Sequence, residues 1–471
     1  MAKRSGFARR PQVHIILVPG FGAFDALGQV QYYSGITTLF RHWREQQKRS
    51  PVVLHYFDNL PTAAVSTRAS RLRAYIAKRM ARGEILDDDS IVLVGHSTGG
   101  LDIRRLICDL HSPRPEPLYV DGGESVSDEH IRHCLKRVVF LSVPHWGTNI
   151  ADWVCSHPGW RAVIIAKLRA AVTGSQLYLL DQIESGITGC AASLTNAEIF
   201  LALQDALTEA NQNYGKPGPT RTADALEAAS ELTFYFRQMS TDFHVINDLT
   251  SQPHEPTTKS PAHFDDKERE TELELWDDPQ IRVLSFATVG GRPFCFPAGV
   301  PAPVWELANP FSYPEFARDL KLSAKTDLAY RLVYRACAGG PFRWPRLAGK
   351  ISLMLDPTPP LPLQIWDNDG IVNTASMLWP RGEIVLVPGD HLDIVGHYQL
   401  IKALPHQHGG SGYQPARMYW AYDTLQSTPR FNSTLFNKVW TEIFNFSTNV
   451  KTLGRSRRVP AKPPKAAAVA A

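Results

Sequence analysis

The decapeptide Ile91–Gly100, IVLVGHSTGG, runs from an apolar strand into glycines with one serine at its centre. A serine hydroxyl is a poor nucleophile unless a base takes its proton and a carboxylate orients that base. Ser97, with Gly95 and Gly99 two residues to either side, suits a nucleophile on a tight strand-to-helix corner, where small neighbours let backbone approach. A turn that merely needs small residues would read the same, so the rest of the chain must decide. Two later segments offer the partners. LQIWDNDGIVN places Asp369 directly after an apolar strand, with Asp367 as its competitor. IVLVPGDHLDIVG places His391 just after the last predicted strand, with His397, His406 and His408 as alternatives.

These groups need a frame that delivers them to one place. Apolar runs at 14–18, 51–57, 90–94 and 137–143 read as strands, separated by helical spacing at 36–47, 66–81 and 98–110. Continuous apolar strands alternating with helices predict an α/β fold, a mostly parallel sheet covered by helices on both faces. Ligands in such sheets bind at the carboxyl ends of the strands. GHSTGG, PGFG and VPHWG all fall at those ends. Strand character returns at 281–289, 361–366 and 383–387; a helix is expected to start near His391, and a final one to span 433–444.

The organisation reads as a basic arm (1–10), a first core part (11–147), an insertion (148–280), a second core part (281–450) and a tail (451–471). The insertion carries amphipathic segments around Trp160–Val172 and Ile199–Leu207, then a polar, acidic stretch from Ser251 to Asp278 expected on the surface. The tail is low-complexity Lys/Pro/Ala sequence and is expected to be disordered.

The net charge of +4 belongs to the ends. Residues 1–10 carry four Lys/Arg and no acid, and residues 451–471 carry six and no acid, leaving 11–450 at −6. A mildly acidic body gives no case for nucleic-acid binding. No apolar run approaches the roughly 20 residues that span a bilayer, and HIILVPG behind the basic start lacks the length and cleavage site of a signal peptide. The expectation is therefore a cytoplasmic protein with no transmembrane segment, with secretion by another route left open. Six cysteines without CxxC spacing read as reduced, small hydrophobes.

With these blocks in order, the chain resembles the bacterial true lipases of the α/β-hydrolase superfamily. PGFGAFDALGQVQYYSGI is similar to their oxyanion-loop segment, GHSTGG to their serine elbow, SVPHWGTNIADW to their PHxGxxxAD segment, and NDGIVNTASM and DHLDIVG to their aspartate and histidine motifs. The resemblance implies an α/β-hydrolase fold with a large helical lid or cap insertion at 148–280. It implies Ser97 as nucleophile, Asp369 as orienting acid and His391 as base, with the backbone N–H groups of Phe21 and Thr98 as the oxyanion hole. Pro19 stands where the family has histidine, a change that alters the support of the loop more than its chemistry. Many members hold calcium near the catalytic histidine; Asp393 matches one ligand position, whereas His397 replaces a neutral oxygen ligand there. His145 is expected to support the site through a side-chain hydrogen bond.

The function implied is a serine carboxylester hydrolase of lipase type, acting on acylglycerol or related fatty-acyl esters and needing no cofactor for its chemistry. Amphipathic lid helices would make peripheral contact with a lipid surface, although such helices often simply pack on the body. The basic tail would also suit an intracellular polyester depolymerase on an acidic granule. Acyl transfer to a lipid, and an inactive hydrolase fold used as a binding module, are the remaining alternatives.

Overall fold

The computed structural model describes residues 9–22, 26–27, 30–47, 51–112, 118–119, 125–156, 237–239, 241–251, 260–289, 350–353, 368–369, 371–398, 431–448 and 458–459. The strands of the main sheet are β1 (Val13–Val18), β2 (Val52–Tyr56), β3 (Ser90–His96), β4 (Leu135–Leu141), β5 (Arg282–Val289), β6 (Lys350–Leu353), β7 (Glu383–Pro388) and β8 (Arg458–Val459). They form one eight-stranded sheet in the order β8-β6-β7-β5-β4-β3-β1-β2. Every pairing is parallel except the antiparallel β6–β8 edge, which draws on two residues of the tail. The helices are α1 (Ile36–Gln46), α2 (Val65–Ala81), α3 (Thr98–His111), α4 (Asp128–Cys134), α5 (Asn149–Ser156), α6 (Val245–Asp248), α7 (Asp266–Leu275) and α8 (Ser433–Ser447).

The sheet is buried on both faces because its strands are apolar at successive positions, not alternate ones. Ile16, Val18, Ile91 and Leu93 face α2 and α3, joining Leu72, Ile76, Leu101 and Ile107. Ile15, Leu17, Val92 and Val94 face the other way, against Trp43, Trp440 and Phe444 of α1 and α8. Each such side chain contributes about 1.5–3 kcal/mol on burial, so register is fixed from both sides. This is the α/β-hydrolase fold: a mostly parallel sheet with helices on both faces, whose strand ends converge on one edge.

Three local differences from the sequence reading have physical causes. Strand β4 starts two residues early, and it stops two residues early because Ser142 turns to φ 49°. The acidic stretch ending at Asp278 contains α7, whose start is closed by a capping box between Asp265 and Glu268; Glu272 is buried there against Arg104. No α-helix starts at His391. Asp390 Oδ1 instead accepts the N–H groups of Leu392 and Asp393, both at 2.9 Å, and a short 3₁₀ turn at Asp393–Val395 ends at Gly396 with φ 107°. The expected strand at 361–366 and the amphipathic segments around Trp160–Val172 and Ile199–Leu207 lie outside the described residues. Among the described residues no helix is long and apolar enough to cross a membrane.

Candidate active site

Ser97 sits between β3 and α3, with φ 53° and ψ −129°. A non-glycine residue in this region is strained by about 1–3 kcal/mol and persists only where its surroundings impose it. They do so by close approach. A Cβ on Gly99 would lie 2.3 Å from the Val18 carbonyl oxygen, so the backbone of α3 can press against the end of β1 only without a side chain. The Ser97 N–H donates to the Leu141 carbonyl at 2.9 Å, tying the corner to the end of β4. Ser97 is also the N-cap of α3, whose positive end therefore points into the corner.

The loop after β1 lies directly against this serine. A Cβ on Gly20 would stand 2.6 Å from the Ser97 Cβ, and 2.7 Å from the Tyr32 hydroxyl. Phe21 follows, 37% exposed, its ring edge-on to Phe243 at 5.9 Å between centroids. Phe21 and Thr98, the two sequence candidates for oxyanion donors, are thus the residues following Gly20 and Ser97.

Asp369 meets His391, which lies in the turn after β7. His391 Nδ1 lies 2.7 Å from Asp369 Oδ2, and the His391 N–H donates to the Asp369 carbonyl at 3.0 Å. The other carboxylate oxygen, Oδ1, accepts from the N–H groups of Val372 (2.8 Å) and Ile371 (3.1 Å). Thr288, near the end of β5, donates its hydroxyl to Oδ2 at 2.7 Å. Ser142 Oγ lies 2.8 Å from the Thr288 hydroxyl, so with that proton committed to Asp369, Ser142 is the donor between them. Both carboxylate oxygens are held, and the imidazole presents its Nδ1 edge to them. Asp369 is fully buried and His391 is 3% exposed.

A second chain of hydrogen bonds joins the two halves of the site. The Gly20 N–H donates to the Tyr32 hydroxyl at 2.8 Å. That hydroxyl donates to His96 Nδ1 at 2.7 Å, and His96 Nε2–H donates to the His391 carbonyl at 2.8 Å. Burial, with His391 beside it, holds the His96 ring well below the usual histidine range, so it is neutral and can accept on one nitrogen while donating on the other. Burial likewise raises the Tyr32 phenol, keeping its proton available. His391 is thereby held next to the residue that precedes Ser97; the two rings lie 4.7 Å apart.

Other sequence candidates fall elsewhere. His397 donates from Nε2 to the Tyr32 carbonyl at 3.0 Å and serves the loop. Asp393 is buried, and its Oδ2 accepts the Asp390 N–H at 2.8 Å. Among the described residues no group of three His, Cys, Asp or Glu side chains is arranged to hold a metal ion. His145 supports the site by packing, not by the expected side-chain bond. Its ring lies between Phe140 and Trp379, each 4.7 Å away, and neither ring nitrogen has a hydrogen-bond partner among the described residues. Asp367, His406 and His408 lie outside the described residues. Sequence reasoning missed Tyr32, Ser142 and Thr288, because a buried hydroxyl in an apolar strand or loop has no periodicity of its own.

Compared with known proteins, the chain matches no family model and no curated relative. Among solved structures it is similar to Staphylococcus hyicus lipase, at 13% identity and a TM-score of 0.44, over 94% of this chain and 96% of that one. It is similar to lipase 1 from Pelosinus fermentans at 15% identity and a TM-score of 0.37, over 82% and 93%. For EstA from Clostridium botulinum the values are 17% and 0.36, over 82% and 83%.

Proposed function

We propose that this chain is a carboxylic ester hydrolase of lipase type, working through Ser97, His391 and Asp369. The observation that carries this reading is the strained Ser97 corner, with the Gly20 loop packed on it and the Asp369–His391 pair held beside it. In this mechanism His391 Nε2 takes the Ser97 proton and the alkoxide attacks the ester carbonyl. The oxygen of the tetrahedral intermediate is received by the N–H groups of Phe21 and Thr98, each worth a few kcal/mol. Collapse breaks the C–O bond, and His391 returns the proton to the departing alcohol. Water, deprotonated by the same imidazole, then releases the acid from Ser97. Asp369 keeps the Nδ1 proton in place throughout, so Nε2 is the nitrogen that trades protons. Every step uses side chains and backbone of the chain itself.

The substrate reading is a fatty-acyl ester met at a lipid surface, with 148–280 acting as a lid. It is supported by the amphipathic segments of that stretch and by the exposed Phe21 ring beside the serine, which rests edge-on against the buried Phe243. Incubation with an alkyl fluorophosphonate, followed by peptide mass mapping, tests the nucleophile. The account expects a single adduct on Ser97, with loss of esterase activity in proportion to labelling. An active protein that labels elsewhere, or not at all, would overturn it.

A further inference from the structure

The carbonyl groups of Pro19 and Gly20 are met by Arg68 of α2, which is fully buried. Its Nη2 donates to the Pro19 carbonyl at 2.8 Å and to the Gly20 carbonyl at 3.1 Å. Its Nη1 donates to the carbonyls of Leu60 and Pro61. Its Nε faces both carboxylate oxygens of Asp102, at 3.1 and 3.0 Å, and Nη2 comes within 2.9 Å of Oδ2. Asp102, on α3, is itself fully buried and held by Asn59 Nδ2 at 3.0 Å. One guanidinium thus cross-links the loop after β1, the loop after β2 and the helix that starts at the nucleophile.

A buried ion pair is a costly way to close a loop, since desolvation takes several kcal/mol per ion and apolar packing does as well. What only this group supplies is direction. A trans peptide unit carries its C=O and N–H on opposite edges. With the Gly20 carbonyl fixed on Arg68, the N–H of the same peptide unit, that of Phe21, is turned away from α2. On the other side of the loop Tyr32 holds the Gly20 N–H, and Gly20 itself abuts Ser97. The Pro19–Gly20 peptide unit is therefore held on both edges, its C=O by Arg68 and its N–H by Tyr32, and the Gly20–Phe21 unit that follows is held by its carbonyl.

We propose that Arg68 is the positioning residue of the oxyanion hole: through the Pro19 and Gly20 carbonyls it sets the plane of the amide whose N–H, that of Phe21, receives the oxyanion. This rests on the ester-hydrolase reading above. It also identifies what supports the loop where Pro19 replaces the family's histidine. Lysine cannot take over the role, because a single ammonium with three donors cannot serve two carbonyls of this loop, two of the next and a carboxylate together.

The test compares wild type with Arg68→Lys, each normalised to the Ser97 sites titrated by fluorophosphonate. The measurements are kcat and KM on a p-nitrophenyl ester, and the inhibition constant of an alkyl boronic acid, whose tetrahedral serine adduct places an oxygen where the oxyanion forms. The expected result is a 10- to 100-fold fall in kcat per titrated site, KM within about twofold, and boronate affinity weakened by the same factor as kcat. If Arg68→Lys fails to fold, Asp102→Asn, which keeps the shape but loses the counter-charge, is expected to shift kcat and boronate affinity together by a smaller factor. A variant whose kcat per site and boronate affinity both match wild type would overturn the proposal alone. Wild type that never labels at Ser97 would overturn the hydrolase reading beneath it as well.

Discussion

Thr288 stands at the point where the Asp369 carboxylate could lose its alignment. Its hydroxyl reaches Oδ2, the same oxygen that holds His391, and Ser142 supplies the proton that lets it donate outward. Thr288→Val keeps the shape and deletes the hydroxyl, leaving a buried acceptor short of one partner at about 1–2 kcal/mol. Steady-state kinetics should therefore show kcat reduced about tenfold with KM little changed; an unaltered kcat would remove Thr288 from the account. Asp369→Asn should be far worse, by about 10³–10⁴-fold in kcat, because the amide can stabilise the wrong imidazole tautomer. Asp393 gives a third check at this scale. Since its carboxylate closes the Asp390 turn, EDTA should leave both activity and melting temperature in place. A fall in melting temperature that calcium restores would put an ion there after all.

At the scale of elements, what the sequence made legible followed from how each element is buried. Strands β1, β3 and β7 are apolar on both faces and were readable to within two residues, as was α3, with Leu101, Leu106, Ile107 and Leu110 at helical spacing. Helix α7 was not: DKERETELEL looks like a surface stretch, and Glu272 turns inward only because Arg104 is already buried there, donating to the His145 and Pro261 carbonyls. The triad candidates were legible because each follows an apolar run in the sequence, whereas Arg68, Asp102 and Tyr32 act through backbone carbonyls, amides and one another and leave no pattern. A different element contact sets acid stability. At the start of β1, His14 Nδ1 meets His55 Nε2 of β2 at 2.8 Å, and His14 Nε2 meets Asp89 Oδ2 at 3.2 Å, with Arg9 on the same carboxylate. Burial lowers both histidines, His55 to about 3, with Arg79 adding to the effect. Both resist protonation in the folded state, while the unfolded chain takes up protons below about 6.5. Stability is thus fully present above pH 6.5 and is lost as pH falls from there towards 3. Urea unfolding at pH 7 and pH 4.5 should differ by about 1–3 kcal/mol from this source, and His55→Phe should flatten the difference. An identical pH slope in the variant would contradict the assignment.

For the whole molecule, the parallel sheet does the assembling. β1, β3, β4, β5 and β7 run the same way, so the Gly20 loop, Ser97, Ser142, Thr288 and His391 arrive at one edge although they are separated by up to hundreds of residues in the chain. That convergence is what turns a common GxSxG corner into a candidate enzyme. The most direct measurement is hydrolysis of p-nitrophenyl esters with acyl chains from about two to sixteen carbons, by wild type and Ser97→Ala side by side. The account predicts turnover that extends to the long chains in wild type and falls by about 10⁴-fold or more in the alanine variant. Turnover confined to short chains would keep the serine mechanism and remove the lipid substrate. Equal activity in the two proteins, or none in a folded wild type, would contradict the central claim.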